Sequence, residues 1–186
     1  MNSNQQISDY IYFYPDVMDT KTCNWIANRY DTTAKWQQST FSNKYENTGT
    51  SQVAMDEYWI GPEDPYFKDM KESFDYCVND YTNVHNQITS TIHTDFRINR
   101  YGKGGFMNKH IDSIHHSHGQ QYGYPHITAL IFLNDDYEGG EFVICGDKYI
   151  EKIQGSAIVF PSSFMYPHEV KEVTEGKRFS VMTWIM

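Results

Sequence analysis

Two residues with metal-binding side chains, His110 and Asp112, stand two positions apart in the sequence. On a β-strand, residues i and i+2 point to the same face, so the imidazole and the carboxylate can reach one metal ion. His168 can supply a third ligand. Two histidines and one carboxylate on one face leave the opposite coordination positions open, which is the arrangement of non-haem Fe(II) oxygenases. The three residues therefore predict an iron(II) site.

The His-x-Asp pattern occurs a second time, at His93 and Asp95. The two copies differ in their surroundings. His110 follows a glycine-rich break at residues 102–105 and precedes a long polar loop, so it is expected at the mouth of a strand. His93 ends a polar stretch without that setting. The sequence therefore favours His110 and Asp112 as the metal ligands.

Arg178 and Ser180 lie near the end of the chain and share a face of a predicted strand. A guanidinium fork beside a hydroxyl, inside a largely apolar barrel, is suited to bidentate binding of a carboxylate. The alternative is that Arg178 pairs with an acidic surface residue such as Glu172 or Glu175. The sequence leaves both interpretations open.

Short strands are predicted in the second half of the chain, where apolar runs alternate with turn signals. These runs cover residues 96–101, 127–133, 141–145, 149–153, 157–160 and 178–185. Gly146-Asp147 is a hairpin signal after the third of them. Short strands at such spacing are typical of a sandwich or barrel, of which the jelly roll is one form.

Two amphipathic helices are predicted in the first half. In the first helix, apolar residues over 23–30 follow the helical repeat, and Asp19 or Thr20 is available as the N-cap. The second helix is expected to begin at Asp64-Pro65, with aspartate as the cap and proline at the first helical position. The predicted fold is thus mainly β with flanking helices.

The composition restricts the choice of partners. The chain has 186 residues, with 24 acidic against 15 basic side chains and a formal net charge of −9, which disfavours nucleic acid and anionic membranes as main partners. Cys23, Cys77 and Cys145 lie far apart, which excludes a cysteine zinc site or a disulfide framework and fits a reducing compartment. Without a secretory signal or an apolar run near ~18 residues, the protein is expected to be soluble and intracellular.

Several motifs follow one another in a recognisable order. They are Arg100-Tyr101-Gly102, His110-Ile111-Asp112, Phe132-Leu133-Asn134, Glu138-Gly139-Gly140, Pro167-His168-Glu169 and Arg178-Phe179-Ser180. In this order they resemble the prolyl-4-hydroxylase-like branch of the Fe(II)/2-oxoglutarate dioxygenases. The resemblance covers about residues 96–186 and implies a double-stranded β-helix, or jelly-roll, core. We expect a single domain over 1–186, in which residues 1–95 supply helices and strands that support this core.

The resemblance also implies roles for individual residues. His110, Asp112 and His168 would bind iron, and Arg178 would pair with the distal carboxylate of the cosubstrate 2-oxoglutarate. Ser180 and Tyr101 would be hydrogen-bonding neighbours of that carboxylate. The implied reaction uses O₂, converts 2-oxoglutarate to succinate and hydroxylates a C–H bond, and ascorbate would keep the iron reduced. The substrate is expected to be a peptide or protein, or a small molecule.

The chain departs from its relatives at Phe132, where some of them carry a tyrosine that also reaches the cosubstrate carboxylate. The spacing from Tyr101 to His110 also differs by one residue from some relatives. Thr128 and Leu130 share a face with Phe132 and are expected to line the cosubstrate pocket.

Two other functions are compatible with the same residues. A cupin-like metalloenzyme would use the metal without 2-oxoglutarate and would have no need of the Arg178 and Ser180 pair. A non-enzymatic β-sandwich binding module would not need His110, Asp112 and His168.

The polar loop over residues 113–125 is long enough to suggest a function, and we expect a mobile lid over the iron. His115, His116 and His118 fit a solvated part of that lid better than a second metal site. His126 either faces the substrate or caps the loop.

Overall fold

A computed structural model describes residues 6–39, 52–89, 92–113 and 124–186. Its first half contains a short 3₁₀ helix, two α-helices and four strands. In chain order these are the 3₁₀ helix Ile7–Tyr10, β1 Tyr12–Tyr14, α1 Thr20–Thr33, β2 Gln37–Gln38, β3 Val53–Ala54, β4 Asp56–Ile60 and α2 Phe67–Val84. The second half consists of strands: β5 Phe96–Tyr101, β6 Phe106–His110, β7 Ile127–Phe132, β8 Glu138–Gly139, β9 Phe142–Ile144, β10 Lys148–Tyr149, β11 Ala157–Pro161, β12 His168–Val170, β13 Val173–Glu175 and β14 Arg178–Ile185.

The described strands form two large antiparallel sheets and one small ribbon. The larger sheet has seven strands in the order β1-β11-β7-β14-β5-β4-β2, and the second has five in the order β10-β9-β12-β6-β3. Strands β13 and β8 make the ribbon. Leu130 and Met182 of the larger sheet share one buried apolar cluster with Met107 and Phe142 of the second sheet. The two sheets therefore face each other, and the predicted mainly β jelly roll is confirmed.

Both helices pack on the outer face of the larger sheet. Cys23 of α1 and Phe74 of α2 belong to a second apolar cluster, which includes the alternate residues Ile98, Ile131 and Val181 of the sheet. Side chains of β5, β7 and β14 thus alternate between the helices and the barrel interior, as the two-residue repeat of a strand requires. Within the described residues, neither helix has the length and apolar character needed to cross a membrane.

The predicted first helix is confirmed, and the Asp19 carboxylate caps it by accepting a hydrogen bond from the Thr22 backbone N–H at 3.0 Å. The predicted start of the second helix is wrong, because α2 begins at Phe67. The Asp64 carboxylate accepts a hydrogen bond from the Tyr66 N–H at 3.0 Å and another from the Tyr30 hydroxyl. These bonds hold the chain in turns before the helix, and the Tyr30 contact is a long-range one that local spacing does not reveal.

The predicted strand over residues 149–153 is also largely wrong, because β10 ends at Tyr149. The Ser156 backbone N–H and hydroxyl both donate to the Ile153 carbonyl, at 3.1 and 2.7 Å. Because the Ile153 carbonyl accepts these bonds within a turn, it does not pair with a neighbouring strand. The turn returns the chain to the larger sheet. The other predicted strands are present, with ends shifted by one residue at most.

Gly155 joins the N-terminal segment to the larger sheet at the start of β11. It has φ +82°, and its carbonyl accepts hydrogen bonds from the backbone N–H groups of Val17 (2.9 Å) and Met18 (3.1 Å). A Cβ at this position would lie 2.1 Å from the Met18 carbonyl oxygen. Only glycine therefore fits.

We predict that Gly155→Ala lowers the free energy of unfolding by more than the ~1–3 kcal/mol that backbone strain alone costs. Urea denaturation measures the loss. Gly104→Ala is the matched control, since Gly104 has φ +80° but its Cβ would meet nothing within 4 Å. Equal losses for the two variants would show that the contact with Met18 has no role.

Candidate functional site

Strands β6 and β12 bring the two predicted histidine ligands together. They pair antiparallel with His110 opposite His168, and the two rings lie 4.3 Å apart between centroids. Asp112 lies two residues beyond the end of β6, and its carboxylate oxygens are 3.6 Å from His110 Nε2 and 3.5 Å from His168 Nε2. One ligand atom from each residue falls within 4.8 Å of the others. The three predicted residues thus form a cluster that could hold one metal ion.

Both imidazoles are oriented by backbone carbonyls. His168 Nδ1 donates to the Tyr166 carbonyl at 3.1 Å, and His110 Nδ1 donates to the Asn108 carbonyl at 2.9 Å. A proton fixed on Nδ1 leaves the Nε2 lone pair of a neutral ring available for a metal. In each ring this Nε2 is the atom nearer Asp112 in the cluster.

The ionisation states fit metal binding. Burial lowers the pKa of His168 to about 4, although the Asp112 carboxylate opposes that shift. Burial alone would raise the pKa of Asp112, but His168, His110 and the Thr128 hydroxyl outweigh it and hold this pKa well below its usual range. At neutral pH the cluster therefore offers an anionic carboxylate and a neutral His168 imidazole, the forms that bind metals.

Thr128 and Ser162 support the carboxylate. The Thr128 hydroxyl donates to Asp112 Oδ2 at 2.6 Å and lies 2.8 Å from the Ser162 hydroxyl. The sequence had placed Thr128 only as a pocket-lining residue. The available signal was a hydroxyl on the inward-facing side of the apolar strand β7. This chain of hydrogen bonds links the end of β6 to the facing sheet.

Arg178 lies in the barrel interior on β14 and is fully buried. Its Nη1 donates to the Ser180 hydroxyl at 3.0 Å, whereas Nε and Nη2 are buried without a partner in hydrogen-bonding geometry. The guanidinium carbon lies 5.0 Å from the Tyr101 ring centroid and 5.4 Å from that of Phe132. Within the described residues it forms no ion pair with a carboxylate. The structure thus brings Arg178, Ser180 and Tyr101 together and does not pair Arg178 with Glu172 or Glu175.

Tyr137 is a neighbour of Arg178 that the sequence did not single out. Both side chains pack against Gly140, where a Cβ would lie 3.0 Å from Tyr137 Cε2 and 3.2 Å from Arg178 Cδ. Burial raises the pKa of Tyr137, and the Arg178 guanidinium opposes that rise. A phenol therefore lies beside the arginine, in addition to Phe132, which has no hydroxyl.

The remaining histidines lie elsewhere. His93 Nε2 is 3.3 Å from an Asp75 oxygen of α2, and the pair belongs to a surface cleft on the helical side of the larger sheet. His126 is exposed directly before β7, and its backbone pairs with Ile185 and Ser162. His115, His116, His118 and most of the predicted lid lie outside the described residues.

The second half of the chain matches a known family. Residues 96–186 match the sequence profile of the 2OG-Fe(II) oxygenase superfamily. A PKHD-type hydroxylase of Stenotrophomonas maltophilia (strain R551-3) is 35% identical over 96 residues, which are 48% of this chain and 41% of that protein. The chain thus spans less than half the length of this curated relative.

Solved structures share the fold over nearly the whole chain. The viral collagen prolyl hydroxylase vCPH from Paramecium Bursaria Chlorella virus-1, solved as a 2OG complex, gives a TM-score of 0.73 at 15% identity and covers 97% of this chain and 98% of that one. A prolyl hydroxylase from Trichoplax adhaerens, in complex with a hypoxia inducible factor peptide fragment, gives 0.72 at 18% identity, over 96% and 84% of the two chains. At these identities the likeness concerns the fold alone.

We predict that Thr128→Val weakens metal binding by about 10- to 100-fold, because groups that orient a ligand typically contribute that much to metal affinity. Anaerobic titration with Fe(II) measures the change. Thr183→Val is the matched control: Thr183 is fully buried on β14, and its hydroxyl donates to the Thr94 carbonyl at 3.1 Å, away from the cluster. Unchanged affinity in Thr128→Val, or an equal loss in the control, would exclude the supporting role of Thr128.

Proposed function

Because residues 96–186 belong to the 2OG-Fe(II) oxygenase superfamily, we propose that this protein is an Fe(II)- and 2-oxoglutarate-dependent dioxygenase that hydroxylates a C–H bond. One observation carries the proposal. A His-Asp-His cluster and a fully buried arginine with unfilled hydrogen-bond donors lie in the interior of the same barrel. The first suits a metal ion and the second a carboxylate.

The residues fit the groups that such an enzyme requires. Two imidazoles and one carboxylate suit Fe(II) and leave coordination positions open for other ligands. Arg178 Nε and Nη2 are buried and unpaired, and such groups are costly unless a partner arrives. A carboxylate of 2-oxoglutarate would satisfy them in a bidentate manner. The Ser180 hydroxyl accepts a hydrogen bond from the third guanidinium nitrogen, Nη1, and Tyr101 and Tyr137 flank the arginine.

Fe(II), 2-oxoglutarate and O₂ supply, when bound, the oxidative decarboxylation that yields succinate and CO₂ and turns a substrate C–H bond into an alcohol. The chain itself binds and orients these groups and excludes water from the site. Phe142 stacks on His168 at 5.4 Å between centroids, and Phe160 meets the same ring edge-on at 5.0 Å. These rings surround the His168 imidazole with apolar surface. Ascorbate is the proposed reductant for the iron.

We further propose a peptide substrate and prolyl-hydroxylase-like chemistry. The support is the name of the Stenotrophomonas relative, a PKHD-type hydroxylase, and the peptide fragment bound to the Trichoplax enzyme. The cupin-like alternative is less well supported, because an enzyme that uses the metal alone would leave the unpaired donors of Arg178 without a function. The binding-module alternative gives no use to the metal cluster.

We predict that Arg178→Ala weakens 2-oxoglutarate binding by about 30-fold to several thousand-fold, since truncating one partner of a buried charge pair costs about 2–5 kcal/mol. Titration of 2-oxoglutarate into the anaerobic Fe(II) protein, followed by the metal-to-ligand charge-transfer band, measures the affinity. Arg178→Lys should lose less, because it keeps the charge without the bidentate geometry. An alanine variant within about threefold of the wild type would exclude Arg178 as the anchor and favour the cupin-like alternative.

We predict that Asp112→Ala abolishes turnover and weakens Fe(II) binding while the fold persists, because the cluster loses its only anionic ligand. Metal content after gel filtration measures the loss of Fe(II) binding, and circular dichroism shows whether the fold persists. Asp95→Ala is the control from the second His-x-Asp pair, and it should leave metal binding unchanged. Stoichiometric iron in Asp112→Ala would contradict the ligand assignment.

A further inference from the structure

A second buried arginine, Arg97, lies in the same barrel interior. On β5 the side chains of Arg97, Asn99 and Tyr101 alternate with Phe96 and Ile98, which pack towards the helices. Arg97 is 8% exposed and Asn99 is 2% exposed. Both side chains therefore point into the barrel from the sheet that carries Arg178.

Two tryptophans enclose the Arg97 guanidinium. Its central carbon lies 4.9 Å from the Trp184 ring centroid and 5.7 Å from that of Trp59, and the two rings are 6.2 Å apart. Cation–π contacts of this kind stabilise the charge and hold the guanidinium in one place. They leave its N–H edge available for hydrogen bonds.

The N–H donors of Arg97 have weak, distant or no acceptors. Its Nη2 donates at 2.8 Å to the Met182 sulfur, a weak acceptor, and the nearest Glu57 oxygen is 3.6 Å from Nη1. Arg97 Nε and Asn99 Oδ1 are both buried without a partner. A buried guanidinium normally takes a bidentate carboxylate at hydrogen-bond distance. The interior thus offers one unpaired N–H donor, Arg97 Nε, and one unpaired acceptor, Asn99 Oδ1, two residues apart on the same face of β5.

Arg97 is separate from Arg178, whereas Asn99 lies opposite Ser180, which binds Arg178. Arg97 lies opposite Met182 on β14, four residues from Arg178 and therefore about 13 Å along the strand. Trp184, which covers Arg97, lies opposite Thr128, whose hydroxyl bonds Asp112. In the proposed function, the two ends of 2-oxoglutarate are held by the metal and by Arg178. Arg97 is then left for another molecule in the same interior.

We propose that Arg97 and Asn99 form a substrate subsite that binds a carboxylate together with a neighbouring N–H donor. Arg97 takes the carboxylate, and Asn99 Oδ1 accepts the N–H. The C-terminal residue of a peptide and a free α-amino acid both carry this pair of groups. The inference rests on the proposed function only in naming the ligand as the molecule that is hydroxylated.

The test uses protein loaded with Zn(II), a diamagnetic substitute for iron, and with saturating 2-oxoglutarate so that the Arg178 end is filled. N-acetylalanine, its primary amide and free alanine are titrated separately while the ¹H–¹⁵N resonance of Arg97 Nε is followed by NMR. We expect a saturable shift with the carboxylate probes and binding of the amide weaker by about tenfold or more. Tighter binding of N-acetylalanine than of alanine indicates a peptide C-terminus, and the reverse order indicates a free amino acid.

Variants give a second measurement through saturation transfer to the probe. Arg97→Met should abolish the signal of N-acetylalanine. Arg100→Met is the matched control, since Arg100 lies on the outer face of β5 and pairs with Asp31 and Asp56. Glu57→Gln should strengthen binding, because it removes the carboxylate that faces Arg97.

Equal binding of the amide and the carboxylate, or no shift of Arg97 Nε with any probe, would overturn the subsite. The same would follow if Glu57→Gln left the affinity unchanged. Each of these results is distinct from a failure of the proposed function, which would appear as wild-type Fe(II) protein that does not bind 2-oxoglutarate.

Discussion

The buried carboxylate of Asp112 is the group on which the geometry of the candidate site depends. An ionised carboxylate that is removed from water costs several kcal/mol unless it is paired and hydrogen-bonded. Here it lies between two imidazoles of one sheet and the Thr128 hydroxyl of the other. The same oxygen atoms thus contact the candidate metal ligands and join the two sheets across the barrel. A divalent cation at this point would pair with the negative charge of the carboxylate.

The antiparallel register of the larger sheet determines what faces that cluster. Arg178 lies opposite Tyr101, Ser180 lies opposite Asn99, and Met182 lies opposite Arg97. Because side chains alternate, all of these face inwards and their neighbours face the helices. Two arginines therefore enter one interior at different depths along the strands. Such an arrangement would hold two anionic groups apart inside one barrel.

The sequence predicted what depends on local spacing. Arg178 and Ser180 share one face of β14, so the strand repeat brings them together. His110 and Asp112 also meet as their spacing predicted, although Asp112 lies beyond the end of β6 and not on the strand. Short strands and turn signals predicted a sandwich or barrel, and the family resemblance carried by the order of the motifs implied the jelly roll. Thr128 as a hydrogen-bond donor to Asp112, and Arg97 between two tryptophans, depend on cross-strand and cross-sheet contacts that no local pattern contains. The start of α2 was misplaced for the same reason, since Tyr30 of another helix binds Asp64.

The central claim is that this protein is a 2-oxoglutarate-dependent dioxygenase. The most direct test is to follow where the oxygen atoms of O₂ are incorporated. Wild-type protein is mixed with Fe(II), ascorbate and 2-oxoglutarate under heavy-isotope O₂, and the succinate formed is examined by mass spectrometry. A 2-oxoglutarate-dependent dioxygenase must place an oxygen atom from O₂ in the new carboxylate of succinate, even in slow turnover without a substrate. Succinate that carries the label, formed only when iron is present, is the predicted result. No succinate, or succinate without the label, would contradict it.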